Sequence, residues 1–171
     1  SGSADKPLPN SHGRTIQSSW QLVGSGFYQP TDYLRINGGG VSYQGRSSPV
    51  GSVVSLGADW AQLDAGFRDH WFSPIQTSAF LISTEAPTMP SVTLSNYRPL
   101  SSVGFTYELF VAQMSKQEGI KYFNSTTEGN PYLTGIQLGI EPVSGYAITV
   151  NRLMQYGGGA RGGIGAKDLV N

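Results

Sequence analysis

The stretch "GIQLGIEPVSGYAITVN", Gly135 to Asn151, alternates twice around a turn. In its first half Ile136, Leu138 and Ile140 fall on one face, against Gly135, Gln137, Gly139 and Glu141. In its second half Tyr146, Ile148 and Val150 oppose Ala147, Thr149 and Asn151. A strict two-residue period is the signature of a β-strand with one apolar face. The intervening "EPVSGY" supplies turn residues, so the two halves read as an antiparallel pair.

The same period extends through the chain. "VGFTYELFV" (103–111) sets Val103, Phe105, Tyr107, Leu109 and Val111 against Gly104, Thr106 and Glu108. "QLDAGFRDHW" (62–71) sets Leu63, Ala65, Phe67 and Trp71 against Asp64, Gly66, Arg68 and His70. "GADW" (57–60) reads as a tight hairpin turn. "INGGGV" (36–41) is either a hairpin turn or a bulge within one strand. "FNSTTEGNPY" (123–132) reads as a loop. The expectation is a single all-β domain over 1–171 with roughly eight mostly antiparallel strands. Residues 1–15 and 162–171 are expected to be loose, as termini often are.

Which all-β architecture this is depends on the other faces of the strands. They carry Gly, Ala, Thr, Gln, Asn and a few charges of both signs, in place of the Lys and Glu of a typical soluble sandwich. Trp20, Phe27, Tyr28, Trp60, Trp71, Phe72 and Tyr156 cluster near strand ends. Apolar strand faces ringed by aromatics suit an outer-membrane barrel wall with a polar lumen. Strand-end aromatics also occur in soluble proteins, so the pattern alone leaves barrel wall and soluble sandwich both open.

Composition narrows the partners. The 171 residues carry 11 basic and 11 acidic side chains, and only 13% of residues are charged. Without clustered positive charge, a nucleic-acid partner is not expected. There is no cysteine, which excludes disulfides, thiolate metal sites and cysteine nucleophiles. No apolar run approaches the ~20 residues of a transmembrane helix, though barrel strands leave no such trace. The opening "SGSADKPLPN" lacks the charged and apolar regions of a signal peptide.

Three features imitate catalytic or cofactor chemistry. "GGGARGG" (157–163) contains the Gly-x-Gly-x-x-Gly spacing of a dinucleotide turn, but "GARGGIGAKDLVN" is a poor helix start and no βαβ unit fits. A glycine-rich loop after a strand is the better reading. "DAGFRDHWFSP" (64–74) brings Asp69 and His70 near Ser73, yet neighbours along a strand point to opposite faces. Asp64, Arg68 and His70 are better read as a hydrogen-bonded network holding strands together. Glu108 and Glu141 lie on polar strand faces, but no local signature marks them as a glycosidase pair. Aromatic faces and planar polar groups that suit sugars are plentiful.

"WAQLDAGFRDHWFSPIQTSAFLISTEAPTMPSVTLSNYRPL" (60–100) resembles the Wzi-type capsule assembly family of Gram-negative outer membranes. The motifs are Gly66-Phe67-Arg68-Asp69-His70-Trp71, Ser73-Pro74, Leu81-Ile82-Ser83-Thr84 and Met89-Pro90. A second block, "GNPYLTGIQLGIEPVSGYAITVNRLMQYGGGAR" (129–161), is similar to a later hairpin of that family, with Asn151-Arg152 and Gln155-Tyr156-Gly157. The resemblance implies a large antiparallel outer-membrane β-barrel at the cell surface. It implies a non-catalytic lectin that holds capsular or extracellular polysaccharide, with outer-membrane lipid around it and no cofactor or metal. The chain is well under half the length such a barrel needs, which implies a fragment or a reduced relative. On this reading Arg68, His70, Glu108, Asn151, Arg152 and Gln155 are the candidate polar contacts to polysaccharide. Trp71, Tyr97 and Tyr156 are the candidate sugar-stacking or girdle aromatics. Parity places Arg152 with Ile148 and Val150, where it would snorkel at a membrane rim. A soluble β-sandwich lectin or adhesin, or a jelly-roll glycoside hydrolase or lyase, are the rival readings.

Overall fold

The computed structural model describes residues 8–10, 14–16, 20–43, 46–68, 70, 88–96 and 98–162. Thirteen strands follow in order. They are β1 (Leu8–Asn10), β2 (Arg14–Ile16), β3 (Gln21–Thr31), β4 (Leu34–Tyr43), β5 (Arg46–Ser48), β6 (Val53–Gly57) and β7 (Gln62–Phe67). Then come β8 (Pro90–Ser95), β9 (Thr106–Gln113), β10 (Gln117–Tyr122), β11 (Ser125–Gly129), β12 (Tyr132–Val143) and β13 (Tyr146–Tyr156). A short 3-10 turn covers Gly159–Arg161.

The main sheet is antiparallel. It runs β13-β12-β9-β8-β7-β6-β4-β3, eight strands along its path, with β5 paired to β4. Strands β1 and β2 pair with each other, as do β10 and β11. The expected eight-strand antiparallel layout is therefore present. Among the described residues the sheet does not close on itself: β3 and β13 end the path, as they would in a section of a barrel.

Register converts the alternation into rows that cross the sheet. One row reads Leu34, Leu56, Leu63, Leu94, Leu109 and Ile136 across six strands, then Arg152 on β13. The next row on that face reads Tyr28, Ile36, Val54, Ala65, Val92, Val111, Thr134 and Met154. Paired residues share a face, so these side chains form one continuous aliphatic surface. It is open over most of its extent: Leu56 is 51% exposed, Val92 51% and Val150 67%, while Thr134 near the β12 start is covered beside Tyr156. The opposite face is the buried one. Thr93 is fully covered and Asp64 is 3% exposed. This inverts the arrangement of a water-soluble sheet, which buries its aliphatic face and exposes its polar one. Inside, Phe110 and Ala112 form a small apolar cluster with Met89, Leu133 and Leu153 packed against it.

The connections differ at the two ends of the sheet. At one end β3–β4, β6–β7 and β12–β13 join through tight turns, the second closed by reciprocal Ala58–Ala61 backbone bonds, and β8–β9 joins through residues 96–105 with a Leu100–Phe105 bridge. Tyr33, Trp60 and Tyr146 stand exposed there. At the other end lie the longer excursions, including the β10–β11 hairpin. There Tyr132 and Tyr156 stack at 5.8 Å, and the Thr134 hydroxyl donates to the Tyr156 oxygen at 2.8 Å.

Two sequence expectations need correction. "INGGGV" makes neither a turn nor a bulge, because β4 runs unbroken through it with Gly38, Gly39 and Gly40 opposite Gly26, Ser25 and Gly24. The glycine at 39 lets the 50–51 turn lie against the strand, where a Cβ would meet the Val50 carbonyl oxygen. Nor is "FNSTTEGNPY" wholly loop: Ser125–Gly129 is β11, paired with β10. Threonines 126 and 127 suit a strand, and the polar sequence hides it because neither face carries an apolar stripe.

Candidate functional site

The buried face is built from small and polar residues whose register leaves room for side chains to meet. Gly66, Ser91 and Ala112 form one row across β7, β8 and β9. Their small size opens a gap on the inner surface, and the His70 ring fills it. The imidazole stacks on Phe110 with centroids 3.9 Å apart and planes 15° from parallel. Its Nδ1 lies 2.8 Å from Glu108 Oε1 and its Nε2 lies 3.1 Å from Ser91 Oγ. The Ser91 hydroxyl in turn donates to the Gly66 carbonyl oxygen at 3.4 Å, tying the ring to β7.

Glycine at 66 allows this geometry. Its φ of 145° and the close approach of the Ser52 backbone exclude a Cβ, and Phe67 N–H donates to the Ser52 carbonyl at 2.8 Å. Just beyond, Arg68 turns its guanidinium between two carboxylates. Nη1 meets Asp64 Oδ2, and Nη2 lies 3.4 Å from Glu108 Oε2. Asp64 also accepts from Gln62 Nε2 at 2.7 Å. The network therefore links β7 to β9 across β8, and each buried charge has a partner, as burial requires.

The sequence Ser91–His70–Glu108 has the connectivity of a nucleophile, base and orienting acid. Its setting opposes that use. Ser91 and His70 are 6% and 5% exposed. Ser91 stands in a strand paired on both sides, so its backbone N–H groups lie in the plane of the ladder. An oxyanion needs such donors aimed at it.

Beside this network a polar row crosses the inner face toward the tight-turn end: Gln62, Ser95, Glu108, Gln137 and Asn151, paired in turn. Two hollows open on it. One, of about 210 Å³, is lined by Gln62, Arg68, Ser95, Thr106, Glu108 and Gln137, among others. The second, of about 460 Å³, is lined by Gln29, Asp32, Tyr33, Arg35, Asn37, Ser55, Asp59 and again Gln62. A larger hollow of about 540 Å³ beside Leu22, Val23, Val41 and Pro49 lies away from this polar row. Asn151 Oδ1 and Thr93 Oγ1 are shielded from solvent without a hydrogen bond.

Of the residues singled out from sequence, the fold brings Arg68, His70 and Glu108 into one cluster. Asn151 joins the row beside them. Gln155 shares the inner face but lies in the row of Leu133 and Ala112, nearer the long-connection end. Arg152 and Tyr156 sit on the opposite, aliphatic face, as parity implied for Arg152. Trp71 and Tyr97 lie outside the described residues, as do Asp69 and Ser73. Sequence reasoning missed Ser91, Phe110 and the group of Asp32, Arg35 and Asp59. Phe110 carried a signal, since it interrupts the polar parity of its strand.

Among the described residues no cluster of three or more His, Asp or Glu side chains is arranged to hold a metal ion. Among them, too, no helix is long and apolar enough to cross a membrane, which has no bearing on strands. No curated protein and no solved structure matches the chain. A family model does match, that of the capsule assembly protein Wzi, over residues 51–169. That span takes in β6 to β13, the polar row and most of the aliphatic surface. An antiparallel sheet with its aliphatic side outward, matched by the family model over more than two thirds of its length, places the chain in the Wzi capsule assembly family.

Proposed function

We propose that the chain forms wall of an outer-membrane β-barrel and holds capsular or extracellular polysaccharide at the cell surface without cleaving it. The inverted sheet carries this reading: two aliphatic rows are exposed while Asp64, Thr93 and Ser95 are buried behind them. In water each half-exposed Leu or Val forgoes about half of the ~1.5–3 kcal/mol of full burial, which a hydrocarbon surround restores. Dimensions agree. The eleven residues of β13 span ~33 Å, which at the tilt of transmembrane strands gives ~25 Å of height. Tyr146 and Tyr156 stand at the two ends of that span, where girdle aromatics belong.

On the inner face, amide, hydroxyl and carboxylate groups supply the directional contacts sugars need, with Arg68, His70, Glu108 and Asn151 in or beside the row. The non-catalytic reading is supported by the buried, in-plane setting of Ser91 and by the pairing of Glu108 with both Arg68 and His70.

Purification with and without detergent tests the membrane assignment. The expected result is aggregation without detergent and a monodisperse species with it. A monodisperse chain in plain buffer favours the soluble sandwich. Incubation with capsular polysaccharide tests the rest: bound glycan with no new reducing ends is expected. Cleavage that disappears in Glu108→Gln would establish an enzyme.

A further inference from the structure

The two polar hollows adjoin at Gln62, which lines both, and together they lie crosswise over the inner face from β4 to β12 as a trench divided at that residue. Five strand spacings give it a length of ~24 Å. Asn151 on β13 pairs with Gln137 at the β12 end, just outside the hollow's lining. A crosswise trench of neutral amides and hydroxyls is the shape of a path for several consecutive sugars of a chain.

Its charges are unbalanced. The Arg68 guanidinium is occupied by Asp64 and Glu108, and this trio carries one net negative charge. At the β4 end Arg35 is held over the Phe27 ring at 4.5 Å, with Nε donating to Asn37 Oδ1 at 2.9 Å. Facing it are Asp32 and Asp59, both exposed and without a hydrogen bond or ion pair among the described residues. Four carboxylates thus accompany two guanidiniums. A uronate, phosphate or sulfate entering here meets a like-charged field and finds one committed cation and one partly committed cation. A neutral sugar meets amide and carboxylate groups that accept from its hydroxyls, with the exposed Tyr33 ring beside them for its C–H face.

We propose that this trench is the glycan path and that it selects a neutral glycan over an acidic one. The inference rests on the polysaccharide-binding reading above. The test uses the full chain in detergent micelles and two sets of hexasaccharides of equal length. One set is neutral (isomalto-, cello- and manno-oligosaccharides) and the other acidic (oligogalacturonate and oligomannuronate). Affinity for the preferred neutral probe should exceed that for any acidic one by about fivefold, the reach of partly screened charges. The double variant Asp32→Asn/Asp59→Asn, in exposed turns that leave the sheet intact, should narrow that gap to less than about twofold, as should high salt. Equal or tighter binding of the uronates overturns the selectivity while leaving polysaccharide binding in place. Binding unchanged in Gln62→Ala and Gln137→Ala overturns the trench as the path, again without touching the broader reading. No binding of any probe removes both.

Discussion

The His70 ring lies flat on Phe110, 3.9 Å between centroids, although the two residues are forty positions apart and stand on either side of β8. This contact closes the inner face over Ser91 and joins the polar network to the apolar cluster of Phe110, Ala112, Leu133 and Leu153.

Phe110→Ala should therefore destabilise the fold by about 3–5 kcal/mol, the range for removing a buried aromatic. His70→Ala should also destabilise it, because Glu108 loses a charge-assisted partner. The two effects should not add. A double-mutant cycle should show a coupling of about 0.5–1.5 kcal/mol, the worth of an aromatic pair beyond its buried area. Reversible urea unfolding of the four proteins in detergent measures it. A coupling near zero would mean that the stack contributes nothing beyond each ring's own burial.

Thr93 is fully covered, and its hydroxyl has no hydrogen-bond partner. Thr93→Val keeps the β-branched shape and removes the orphaned group, so it should stabilise the protein by about 1 kcal/mol. Thr93→Ser keeps the hydroxyl and drops the methyl, and should destabilise it by a similar amount. Melting temperatures of the pair give the sign. A destabilised Val variant would show that the hydroxyl is satisfied by an internal water.

Much of this arrangement was legible in sequence. Alternation at Leu109, Ile136 and Ile148 assigned each residue to a face, and parity put Arg152 among the aliphatics. What it could not give was registration between strands. Glu108 meets His70 only because β8 sets the spacing between β7 and β9, and nothing local to "DHW" or "TYELF" encodes that. Local reading grouped His70 with Asp64 and Arg68, and the folded chain joins the three through Glu108, with Ser91 on the far ring nitrogen, both from distant strands. β11 was hidden for a different reason: in a two-stranded hairpin off the main sheet, no face demands an aliphatic stripe.

Leu94 occupies the centre of the outward leucine row, between Leu63 and Leu109. If that face meets hydrocarbon, Leu94→Arg should cost about 2–4 kcal/mol in lipid vesicles, as for basic residues near the bilayer midplane. In a water-facing sheet the same change at a half-exposed site should fall within about 0.5 kcal/mol of zero. Vesicle-based unfolding of Leu94→Arg beside Leu94→Ala separates the cases. An Arg variant as stable as the Ala variant would remove the lipid assignment for this row.

The glycines after β13 form a docking segment, not a free tail. Gly157, Gly158 and Gly159 have φ of 67°, 90° and 58°, and the chain they turn lies against the β10–β11 hairpin. A Cβ at Gly159 would overlap Thr127 Oγ1 and the Glu128 carbonyl. Next to it, the Ala160 N–H donates to Thr127 Oγ1 at 3.0 Å, and Arg161 Nε donates to the Lys121 carbonyl at 3.1 Å. Gly159→Ala therefore combines a left-handed backbone, costing of order 1–3 kcal/mol, with a steric overlap against main chain. The expected outcome is local: the segment leaves the hairpin while the main sheet holds, since its rows do not involve residues 157–162. Hydrogen exchange at the Ala160 amide should accelerate about tenfold or more, with β9 and β12 amides unchanged. Gly24→Ala is the control, because its Cβ would meet nothing within 4 Å. Unaltered protection at Ala160 in Gly159→Ala would show that the hairpin yields to the methyl group, and that glycine at 159 is not what holds the segment in place.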